Sequence, residues 1–171
     1  MDFNLGFQLG ALSIAVQAAL HKYCLTFNGT NYAELSTPVT FAGDFEIEVE
    51  FSTTVSGVLN PLMSGGSSQV DHVTAEFSSS DTLSINAGYI TSAYIDNTLV
   101  TNGENISSYL DGNKHTFKAI GSGGTIGVIG ANNNVGGKFQ GIIKQVKLTD
   151  LDLAETTTWK LNSDGALYEP T

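Results

Sequence analysis

The stretch Asp44–Thr53 reads DFEIEVEFST and places Glu46, Glu48 and Glu50 at alternate positions. Alternate side chains of an extended strand share a face, so three carboxylates would stand in one row. Retaining glycoside hydrolysis uses such a pair, a nucleophile and an acid/base roughly 5–5.5 Å apart. The letters between the acids support a plainer reading. Phe45, Ile47, Val49 and Phe51 are apolar at every intervening position, and a half-buried strand needs one apolar face and one wet face. We therefore expect these four residues in a core and the glutamates in water.

Other residues with chemical potential are scattered. His21, His72 and His115 lie far apart, so no zinc-ligand spacing is present. His115 is expected on a strand, paired near the Asp111 turn. The run GSGGTIG (121–127) is glycine-rich but lacks the lysine and following helix of a phosphate loop, and it reads as a hairpin turn. Cys24 has no partner for an internal disulfide and is expected as a small core residue. Aromatic and amide side chains suited to sugars occur at Tyr89, Tyr94, Asn97, Asn102, Asn132, Asn133 and Asn134. Turn chemistry and sheet packing account for the same residues and are favoured.

The elements that would position these groups are strands. The chain has 171 residues, 41% of them hydrophobic and only 14% charged, with 19 glycines. This is the size of one domain and the composition of a turn-rich β protein. From residue 25 onward the apolar period is two: Leu25–Phe27, Tyr32–Leu35, Phe45–Phe51, Leu62-Met63, Val70–Phe77, Thr82–Ala87, Ile90–Ile95, Thr98–Val100, Lys114–Ile120, Thr125–Ile129, Phe139–Leu148 and Thr156–Leu161. Turns fall between them, among them Asn28–Asn31, which predicts a hairpin between the first two, and Asp96-Asn97. About twelve short strands in this rhythm predict an all-β, antiparallel two-sheet jelly-roll sandwich over 24–171.

Residues 1–23 differ. Phe3–Leu20 contains no charge; Phe3, Leu5, Phe7 and Leu9 alternate as a strand does, while Leu12, Val16 and Leu20 follow helical spacing. No basic residue precedes it as in a signal peptide, and interspersed Asn, Gln and Gly dilute it below a membrane span. We expect an extended or helical arm that buries its apolar face on a neighbouring subunit. Seven lysines, no arginine and 17 acids give a net charge of −10. That balance argues against nucleic acid and anionic membrane surfaces as partners.

Four segments in order, LTFNGTNYAEL (25–35), DFEIEVEF (44–51), DGNKHTFKA (111–119) and GKFQGIIKQVKL (137–148), resemble concanavalin A-like lectin/glucanase domains of the laminin G-like kind. The resemblance covers residues 24–161 and implies a concanavalin A-like jelly roll with one concave sheet. Its style is closest to lectin-like domains of phage virion proteins. EIEVE is also similar to the E-x-D-x-E strand of family 16 glycoside hydrolases, which would make Glu46 nucleophile, Glu48 helper and Glu50 acid/base. The middle acid departs from that pattern, the motif comes early, and the one tryptophan, Trp159, is far from it. Some laminin G-like domains hold calcium at a sheet rim, where Asp81, Asp96 or Asp111 would serve, but no spacing singles one out. The combined expectation is a non-enzymatic virion structural protein (capsid decoration or cement, fibre or tail component). It would be made in the host cytoplasm, be exposed on the particle, need no cofactor or metal, and dock on itself or other virion proteins through the arm. The alternative is a carbohydrate-binding module for cell-surface glycans, and a family 16-like hydrolase stands third.

Overall fold

The computed structural model describes residues 25–65, 71–132 and 136–160. The arm residues Phe3, Leu5, Phe7, Leu9, Leu12, Val16 and Leu20 lie outside the described residues, as do Cys24, Asn133 and Asn134. The described chain is all-β, with twelve strands and one 3₁₀ turn at Ser107–Tyr109. The strands are β1 (Leu25–Asn28), β2 (Ala33–Thr40), β3 (Asp44–Ser52), β4 (Asn60–Ser64), β5 (Ala75–Phe77) and β6 (Leu83–Ile85). They continue as β7 (Ile90–Ile95), β8 (Thr98–Val100), β9 (His115–Ser122), β10 (Thr125–Ile129), β11 (Gln140–Asp150) and β12 (Glu155–Lys160). No helix among the described residues is long and apolar enough to cross a membrane.

Two antiparallel sheets form a sandwich, as the period-two pattern predicts. The seven-stranded sheet runs β1-β11-β3-β9-β7-β8, with β12 also on β11; the five-stranded sheet runs β2-β10-β4-β5-β6. β3 lies between β11 and β9, and every odd position from Phe45 to Phe51 is fully buried while the glutamates are half-buried. Phe45, Phe51, Phe77, Phe117 and Phe139 are the largest fully buried side chains. Burying an aromatic or aliphatic side chain of this size stabilises by about 1.5–3 kcal/mol, so these five rings anchor the fold.

Two expected hairpins are crossovers instead. β1 pairs with β11 in one sheet, while β2 pairs with β10 in the other. Asn28 Oδ1 accepts from the Thr30 amide and hydroxyl at 3.0 and 2.7 Å, and the Asn28 amide donates to Asn31 Oδ1 at 2.9 Å. The turn chemistry is as read, but Phe27 meets Phe139 edge-on at 6.0 Å and keeps β1 on β11. The glycine run at 121–124 likewise passes from β9 to β10 across the sandwich. The β7–β8 hairpin is as expected, with Asp96 and Asn97 at φ 50° and 65°, the positive pair that a type I′ turn demands.

Candidate functional site

The three glutamates stand on the face of the seven-stranded sheet that points away from the core. Register places one row across five strands: Tyr94, Lys118, Glu48, Lys147 and Thr158, with Leu99 beyond Tyr94 on β8. A second row holds Ser92, Ile120, Glu46, Thr149 and Thr156; a third holds Thr116, Glu50 and Gln145. Each carboxylate faces an ammonium group. Lys118 Nζ lies 2.5 Å from Glu46, Lys147 Nζ 3.6 Å from Glu48 and Lys114 Nζ 3.6 Å from Glu50. Partial burial pushes the Glu46 carboxyl up, but the Lys118 hydrogen bond and charge hold it below the usual glutamate value. Glu46 in turn raises Lys118 above the ordinary lysine value.

The sheet thus carries an ion-pair ladder. A carboxyl kept for proton donation is normally set in an apolar pocket that favours its neutral form, and this face supplies lysines instead. Each pair is partly solvated and contributes about 0–1 kcal/mol. The chemistry the ladder can perform is polar recognition, with Tyr94 as a flat apolar surface beside Lys118 and Leu99.

A second cluster sits at the end of β9. His115 is buried, its Nδ1 2.6 Å from Asp96 Oδ2 and its Nε2 2.9 Å from Asp111 Oδ1. Phe51 stacks at a tilt 5.8 Å away and Tyr109 meets the ring edge-on at 5.5 Å. A neutral imidazole carries one N–H, whereas an ionised carboxylate only accepts. Both ring nitrogens face carboxylates, so the geometry is that of an imidazolium donating twice. Burial opposes the charge, but the Asp96 and Asp111 hydrogen bonds outweigh it and raise the His115 pKa. The His115 hydrogen bond, with those of the Asn113 amide and side chain, brings Asp111 down to about 2. Asp96 is also lowered: burial opposes this, and bonds from His115 and the Thr116 amide prevail. The expectation that His115 pairs near the Asp111 turn is met; Asp96 is the partner that spacing did not show.

The sugar-directed candidates separate. Tyr94 and Asn97 share the β7–β8 hairpin, on the ladder face and at its turn. Tyr89 lies before the opposite end of β7, where its hydroxyl donates to Asp71 Oδ1 at 2.8 Å and its ring covers Gly124. That hydrogen bond raises the Tyr89 pKa. Asn102 Oδ1 accepts from the Ile85 amide at 3.1 Å, and Asn132 Oδ1 from the Gly137 amide at 3.1 Å. Asp81, the third rim acid, accepts from Ser56 Oγ at 2.6 Å and the Gly57 amide at 2.8 Å, which lowers its pKa. No group of three or more His, Cys, Asp or Glu among the described residues is placed to hold a metal ion. Sequence reasoning also missed Asn60, a buried amide whose Oδ1 accepts from the Gln140 amide at 2.6 Å and links β4 to the start of β11. Its place in an apolar run is the signal that would have found it.

No protein-family model matches the chain, and no curated protein or solved structure shows significant similarity to it.

Proposed function

We propose that the chain is a non-enzymatic structural protein of a virion, a capsid-decoration, fibre or tail component. It displays a concanavalin A-like sandwich and docks on neighbouring subunits through residues 1–23. The observation that carries the proposal is a division of apolar residues. The described strands supply a core running from Phe27 to Leu148 and drawing on both sheets. Residues 1–23 add Phe3, Leu5, Phe7, Leu9, Leu12, Val16 and Leu20 with hardly any charge. An apolar segment of that extent beside a domain that has its own core supports an interface role, and the cost of its ordering would be offset on assembly. The order in which the chain changes sheets, after β1, β2, β3, β6, β9 and β10, supports the jelly-roll reading. The ladder face supports a surface role, because paired lysines and glutamates keep a broad sheet wet.

The test is incorporation. Mass spectrometry of purified particles should find the chain at stoichiometric copy number, and deleting residues 1–23 should abolish incorporation. Absence from particles, or unchanged incorporation of the truncated chain, overturns the proposal.

Glycan binding is the second reading, favoured by Tyr94 and Asn97 on one hairpin beside the ladder. Aromatic surfaces flanked by hydrogen-bonding groups are how shallow sites hold polar ligands. A glycan array that is blank for the folded chain, or a hit indifferent to Tyr94→Ala, removes it.

A further inference from the structure

A sheet edge is a row of unpaired backbone donors and acceptors, and natural proteins blunt such edges with short strands, proline or cover. The edges here are treated unequally. β8 and β6 are three residues long, β1 is four, and β2 carries Pro38. β12 has six residues, ETTTWK, without proline or glycine, and pairs with β11 in unbroken register from Asp150↔Glu155 to Gln145↔Lys160. Among the described residues it has no strand on its other side. The adjoining turn exposes Leu151 and Leu153, at 47% and 67%. This is the one described edge that is long, regular and flanked by exposed leucines.

The two faces of that edge differ. Positions 155, 157 and 159 lie opposite Asp150, Leu148 and Val146, and the last two of these are buried in the core. Positions 156, 158 and 160 lie opposite Thr149, Lys147 and Gln145 on the ladder face. On the core side β12 presents Glu155, exposed, and Thr157, half-buried, and a strand added beyond Thr157 would extend that face with apolar side chains and the ladder face with polar ones. FNLGFQLG (3–10) supplies that alternation: Phe3, Leu5, Phe7 and Leu9 against Asn4, Gly6, Gln8 and Gly10, over the length of β12.

We propose that residues 3–9 of a second copy of this chain add to β12 as an extra strand of the seven-stranded sheet. The inference rests on the docking role of the arm and names its receptor. Exchange between copies is favoured over self-pairing by what a connection within one chain would have to cover. β1 and β12 occupy the same edge of β11 and run the same way, with Leu25 opposite Ile143 and Lys160 opposite Gln145. A strand reached through a helical connection from the chain's own β1 would need that connection to cover a sheet face, and the ladder face beside β12 offers Gln145, Lys147, Thr149, Thr156 and Thr158. A copy placed side by side has no such constraint. The roughly 15 residues between the two segments span about 22 Å even as a helix, enough to cross to a neighbour. Main-chain hydrogen bonds would supply the affinity, and the apolar positions the register, as in other strand additions.

The full-length chain tests this by native mass and amide hydrogen exchange, in wild type, Phe7→Asp and Gln8→Asp. Wild type should assemble and protect amides in 155–160. Phe7→Asp should give monomers and speed exchange there by about ten-fold or more, while protection in β3 and β11 persists and shows the sandwich folded. Gln8→Asp, on the wet face, should change neither. If Phe7→Asp dissociates the assembly and leaves exchange at 155–160 unaltered, the receptor lies elsewhere; the inference falls and the docking role stands. A wild-type monomer overturns exchange between copies.

Discussion

The Asp96–His115–Asp111 clamp makes stability depend on pH in a direction that can be worked out. Replace His115 with glutamine, which preserves a polar, neutral side chain. The folded His115 pKa is raised, so its contribution is fully present below the unfolded value of about 6.5 and is lost as pH rises through the folded value. The two aspartates are lowered; their contribution is present above their unfolded values and fades only in acid, well outside that window. A charge-assisted hydrogen bond contributes about 1.5–3 kcal/mol in a buried setting. Asp96 is 43% exposed while the imidazole is 11% exposed, so solvent screening reduces the His115–Asp96 pair to about 1 kcal/mol. Wild type should exceed His115→Gln by about that much more at pH 6 than at pH 9, or about 2–4 °C in Tm for a chain of this size. The assay is urea or thermal unfolding of both proteins across that range. Taking the difference removes the titration of the other histidines and of the overall negative charge. A stability difference that is flat from pH 6 to 9, or that grows with pH, refutes the imidazolium assignment.

Two further predictions concern β3 and its neighbours. Ile47→Ala should cost about 2–5 kcal/mol in urea unfolding, because Ile47 is fully buried. Glu48→Gln, on the other face of the same strand and 3.6 Å from Lys147, should cost no more than about 1 kcal/mol; the reverse order of effects would mean that the strand presents its glutamates to the core. Gly121 lies beside Ile90 and Phe45 in the sheet, and a Cβ there would collide with the Tyr89 carbonyl oxygen and come 2.7 Å from Phe45 Cζ. Gly121→Ala should therefore destabilise by about 1–3 kcal/mol or more, read as a lower urea midpoint, and an unchanged midpoint would show that β7 and β9 separate freely at that point.

What the sequence made legible is local, and the reason is physical. The faces of β3 follow from a period of two, because a pleated strand cannot place Phe45 and Glu46 on the same side. The Asp96-Asn97 turn follows from the tolerance of both residues for positive φ. The segments Asn28–Asn31 and Gly121–Gly124 were legible as turns for the same reason, yet turn chemistry says only that the chain reverses. Which sheet receives the next strand is decided by distant partners, Phe139 for Phe27 and Val39 for Ile126. The candidate sites obey the same rule. Tyr94 could be placed on a strand face from spacing alone, but Lys118 opposite it and Lys147 two strands further on come from two other parts of the chain.

The His115 clamp shows where the limit falls. Asp111 is four residues from His115, so their approach was visible as proximity; Asp96 is a residue of another hairpin and carried only a turn signal. Once β7 pairs with β9, Ile95 stands opposite Phe117, and the turn that begins at Asp96 must close over the end of β9. Asp96 then accepts from the Thr116 amide and from His115 together. The same carboxylate that permits the turn also neutralises a buried charge beside Phe51, the last apolar residue of the EIEVE strand. Replacing Asp96 with glycine would keep the turn and lose the counter-ion, so Asp96→Gly should remove most of the pH dependence attributed to His115–Asp96 while β7–β8 stays paired. Hydrogen exchange at Thr98–Val100 reads the pairing, and the unfolding difference between pH 6 and 9 reads the charge. Lost pairing with an unchanged pH dependence would mean that the aspartate serves the turn alone.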